Sequence, residues 1–147
     1  MNKQKKLPQG IPIDAIERVY TKELDRYSDE LINEIKSFLK TPLKEDVIEG
    51  SVEIFPDEYG DGVLSIGLYL RAELTEHIPF LDKVKDLPMI DLTGYEEENL
   101  VDLIVDITQR WFAESWWKAG GWEFKLPLTV YGHDGFGSGT AINLTKQ

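Results

Sequence analysis

Val63-Leu64-Ser65-Ile66-Gly67-Leu68-Tyr69-Leu70-Arg71-Ala72 is the stretch that decides the fold. Leu64, Ile66, Leu68 and Leu70 alternate with Ser65, Gly67, Tyr69 and Arg71, which is the period of two of a strand with one buried face. Upstream, Ser51–Phe55 alternates in the same way, with Val52 and Ile54 on one side, and Pro56 stops it. Between them, Asp57-Glu58-Tyr59-Gly60-Asp61-Gly62 is turn chemistry, made of short polar groups and glycines that tolerate positive φ. A hairpin with one buried and one wetter face follows.

Working outward, Asp14–Lys40 reads as one long helix. Ile16, Tyr20, Leu24, Tyr27, Leu31, Ile35 and Phe38 recur in steps of four or three and share a face. Asp14 and Glu17 have the form of a capping box, and Thr41-Pro42 ends the helix. A second long helix follows Thr93-Gly94-Tyr95-Glu96, another capping box, with Glu96, Glu97 and Glu98 at the positive end of its dipole. Its apolar face is Leu100, Leu103, Ile104, Ile107, Trp111 and Phe112; its solvent stripe is Asp102, Asp106, Arg110, Glu114 and Lys118. Gly120-Gly121 stops it. Phe124–Tyr131 and Thr140–Leu144 close the chain as two strands around a glycine-rich loop, Gly132–Gly139. Residues 74–92 allow a short helix over Glu76–Lys85 and a short edge strand over Leu87–Leu92.

These elements predict an α+β fold: an antiparallel sheet of four to five strands with two long helices packed on it, in the order α-β-β-(β)-α-β-β. Residues 1–10 read as a flexible tail and 11–147 as a single domain, as suits a chain of 147 residues.

Charge sets the bounds on function. The formal net charge is −11, and it is unevenly placed. Residues 1–40 carry +1, residues 41–117 carry −13, and residues 118–147 carry +1. That sign argues against nucleic acid and against an anionic membrane surface. With no cysteine, disulfides and thiolate chemistry are excluded. No apolar run approaches a membrane span, and Leu7-Pro8-Gln9-Gly10 interrupts any signal-like start, so a cytoplasmic location is expected.

Few residues point to chemistry. His77 and His133 are the two histidines, 56 positions apart, without a neighbour at metal-ligand spacing. Asp57, Glu58 and Asp61 lack the third-position acid and closing glutamate of a calcium loop. No metal or cofactor is expected. Ser138 stands between Gly137 and Gly139 but leads into a strand, not the helix that a nucleophile elbow requires. Trp111, Trp116, Trp117 and Trp122 fall within twelve residues. Trp111 aligns with the buried face, whereas Trp117 and Trp122 are candidate anchors for a protein partner.

The run Val52-Glu53-Ile54-Phe55-Pro56-Asp57, with Trp116–Gly120 and Leu126–Gly135, resembles small bacterial proteins of unknown function, a likeness that transfers no activity. The order of elements is similar to that of type III secretion chaperones, although the C-terminal helix of that fold has no counterpart here. That likeness implies a homodimer holding an extended segment. The leading expectation is a non-catalytic binding module for a basic protein partner, such as an immunity protein against a cationic toxin, acting through Asp57, Glu58, Asp61, Glu96, Glu97 and Glu98. The competing expectation is an enzyme whose pocket joins the Gly132–Gly139 loop to the Trp116–Trp122 region, with His133 and Asp134 as acid and base.

Overall fold

A computed structural model describes residues 5–6, 10–56, 64–82, 87, 90–91 and 100–146. The elements run β1 (Lys5–Lys6), α1 (Ile13–Asp25), α2 (Ser28–Lys40), β2 (Glu49–Pro56), β3 (Leu64–Arg71), β4 (Glu76–Phe80), β5 (Ile90–Asp91), α3 (Val101–Lys118), β6 (Leu128–Gly132) and β7 (Ile142–Asn143). The fold is α+β, with a five-stranded sheet ordered β4-β3-β2-β6-β7. Lys5–Lys6, within the stretch read as a tail, pairs in parallel with Ile90–Asp91.

The sheet is mixed, not antiparallel throughout. β2 and β3 form the expected hairpin, with Val52 opposite Leu68 and Ile54 opposite Ile66. β6, however, lies parallel to β2, with Val130 opposite Val52. A parallel neighbour requires a crossover of a dozen residues or more, and α3 is that crossover. Alternation alone is the same for either strand direction. β4 replaces the short helix expected over Glu76–Lys85: His77 and Pro79 point outward, Phe80 is buried, and Pro79 is tolerated because β4 is an edge.

The single first helix is in fact two. A helix of that length would span ~40 Å, and the break at Arg26–Tyr27 lets both halves lie against α3. Trp111 Nε1 donates to Ser28 Oγ at 2.8 Å and fixes the start of α2. The apolar stripe passes through the break unbroken: Ile16, Tyr20, Leu24, Leu31, Ile35 and Phe38 are all buried. The Asp14 capping box does not form, since Pro12 precedes α1 without a side-chain cap and Glu17 instead accepts from Arg110 at 3.0 Å. The box at Thr93–Glu96 lies outside the described residues.

α3 packs against α1 and α2 as well as β2, β6 and β7. It is therefore buried on more than one stripe, with Val105, Thr108, Gln109, Ala113, Ser115 and Trp116 joining the expected apolar face. Trp116 is fully buried among Phe38, Phe112 and Phe124. Gly121 is required beneath it, because a Cβ there would collide with the indole. No described helix is long and apolar enough to cross a membrane.

Candidate functional site

The Gly132–Gly139 loop is bound to α3. Asp102 Oδ1 accepts from the Gly137 N–H and Asp106 Oδ1 from the Ser138 N–H, each at 2.8 Å. One turn on, the buried Gln109 amide donates to the carbonyls of Val130 (3.0 Å) and Thr140 (2.6 Å). Asp102 and Asp106, read as part of a solvent stripe, are half-buried anchors instead. Gly132 has no room for a Cβ against the Phe136 backbone, and Gly137 takes φ +87°. The glycines thus serve a tightly tethered turn.

This tether places His133 on the outer face of the sheet. Its Nδ1 lies 2.9 Å from Glu53 Oε1 on β2, and its ring packs 4.4 Å from Phe55. Nε2 lies 3.3 Å from Asp134 Oδ2. Both ring nitrogens therefore face carboxylates. Asp134 itself is exposed, at φ +52°, in a conformation short polar side chains accept. His77 shares the same face, stacked 4.7 Å from Tyr69. Burial, then the Glu53 charge and Tyr131, push the Tyr69 hydroxyl above its ordinary pKa.

The tryptophans lie elsewhere. Gly132 and Gly137 abut Val105, and Trp117 sits twelve residues further along α3, ~18 Å away along its axis. The glycine loop and Trp117 thus lie at different levels of α3. Trp117 and Trp122 meet edge to face at 6.4 Å, 41% and 44% exposed. Trp117 Nε1 donates to the Leu144 carbonyl at 3.2 Å and so holds the C-terminal segment.

Asp57, Glu58, Asp61, Glu96, Glu97 and Glu98 lie outside the described residues. The fold brings other acids together. Glu30 and Glu34 on α2 and Asp82 beyond β4 line an open cleft of about 690 Å³ with Asn33 and Ser37. Glu34 Oε1 accepts the Leu81 N–H at 3.0 Å. Leu81 is buried, yet it takes φ +54°, a conformation costing a non-glycine residue about 1–2 kcal/mol. That turn carries Asp82 to the mouth of the cleft.

No protein-family model, curated protein or solved structure matches the chain. Among the described residues no group of three metal-ligating side chains converges on one point. The cleft carboxylates are spread, an arrangement that suits extended cations such as the side chains of lysine and arginine.

Proposed function

We propose that the protein is a non-catalytic, cytoplasmic binding module for a basic protein partner, in the manner of an immunity protein against a cationic toxin. The observation that carries this reading is the cleft, whose wall carries Glu30 and Glu34 from α2 and Asp82 from the exit of β4. Three of its five described lining residues are acids, and the whole chain carries −11. Opposite potentials speed encounter and select partners. The cleft is large enough to receive more than one basic side chain.

Affinity capture from native cytosol at low and high salt tests this reading. The expected result is retention of a basic protein, lost at high salt and lost with the Glu30→Gln/Asp82→Asn variant. Retention of acidic or neutral proteins only, or capture indifferent to both salt and the variant, contradicts it.

A further inference from the structure

The face of the sheet turned away from the helices has a chemistry of its own. Register aligns Thr129, Ser51, Tyr69 and His77 across β6, β2, β3 and β4. The next level is Tyr131, Glu53, Gly67 and Pro79. Short side chains, Ser51 and Thr129, thus lie between two tyrosines. The result is a groove of about 350 Å³, within the ~300–1,000 Å³ common for small-molecule sites. Glu49 and Arg71 close one end as an ion pair at 2.7 Å.

We propose that this groove binds a neutral saccharide. Three properties select that class. The described charged groups lining the groove, Glu49 and Arg71, are paired with each other, so neither is left over for an ionic ligand. What remains are hydroxyls from Ser51, Thr75 and Thr129, each both donor and acceptor, beside guanidinium donors and carboxylate acceptors. A polyol presents the same mixture of donors and acceptors. The tyrosines supply the third property, because the negative face of an aromatic ring attracts the weakly positive C–H face of a sugar ring. Tyr69 is held for that role by His77 stacked 4.7 Å away and by the edge of Phe55 at 6.2 Å. Gly67 makes the stack possible, since a Cβ there would stand 2.7 Å from His77 Nε2. The inference does not depend on the basic partner, which belongs to the acidic cleft.

The test is binding of the full chain to an array of neutral hexose and N-acetylhexosamine oligosaccharides. It is followed by NMR titration with the strongest binder and with maltotriose and chitotriose. The expected result is saturable shifts at Ser51, Tyr69, Thr129 and Tyr131, with a dissociation constant on the order of millimolar and little salt dependence. Tyr131→Ala should weaken binding about tenfold or more. Thr129→Val, which keeps shape and removes the hydroxyl, should weaken it several-fold even if Tyr131→Ala perturbs the strand. Absence of binding across the array and both trisaccharides overturns the proposal. So does binding that neither variant alters, or a preference for sulfated saccharides that salt abolishes.

Discussion

The cleft beside α2 and the groove on the open sheet face are both concave and polar, yet their charges are arranged oppositely. In the cleft, Glu30, Glu34 and Asp82 make up three of the five described lining residues, beside Asn33 and Ser37. In the groove, Glu49 is answered by Arg71 at 2.7 Å. A wall rich in carboxylates draws a cation. A cancelled set leaves hydroxyls and aromatic rings to do the selecting. One acidic chain can therefore carry two surfaces with different tastes, and total charge describes only one of them.

The largest expected effect falls on the packing that both surfaces share. Trp116→Ala should cost about 3–5 kcal/mol in denaturant unfolding and degrade cleft and groove together. Trp116→Phe should cost far less, because it also removes a buried indole N–H that has no hydrogen-bond partner among the described residues. Equal losses for the two would contradict the packing described for this ring.

A smaller change separates the surfaces. Gln109→Leu leaves the Val130 and Thr140 carbonyls without their amide donor and should cost about 1–3 kcal/mol. NMR shift changes should concentrate in β6 and the Gly132–Gly139 loop, leaving Glu30, Glu34 and Asp82 unmoved. Shifts spreading equally to α2 would show that the two surfaces are coupled.

The smallest effect is one of pH, and each region supplies a probe. Tyr27, on the helix side, and Tyr69, on the sheet side, both have pKa values raised above 10.0, in each case chiefly by burial. A raised pKa means the folded state holds the proton more tightly, so stability is intact below pH 10 and falls as pH rises through the folded value. Tyr27→Phe and Tyr69→Phe should each remove part of the alkaline loss measured by denaturant unfolding from pH 8 to 11. Alkaline profiles unchanged in both variants would contradict the assigned burial.

Much of this fold is legible in the sequence, and the misses share physical causes. The hairpin and α3 are readable because a single periodicity fixes each. The break at Tyr27 is hidden because the turn preserves the apolar stripe from Leu24 to Leu31, leaving Ser28-Asp29-Glu30 as a faint start signal. The parallel entry of β6 is hidden because side-chain alternation carries no direction. Asp102 and Asp106 look like solvent residues, since their partners are backbone N–H groups more than thirty positions away. His133 is recognisable as a candidate, but its partner Glu53 lies eighty positions away and is joined to it only by the β2–β6 pairing. The cleft is the least legible feature, because Glu30 and Asp82 come from segments of opposite net charge.

The direct test of the central claim is a binding titration of the captured partner at several salt concentrations. It compares the natural chain, Glu30→Gln/Asp82→Asn and Tyr131→Ala. The cleft variant should lose about tenfold in affinity and show a flatter salt dependence, while Tyr131→Ala stays within about twofold. Equal losses in the two variants, or an unchanged salt slope in the cleft variant, would contradict the assignment of the basic partner to the cleft.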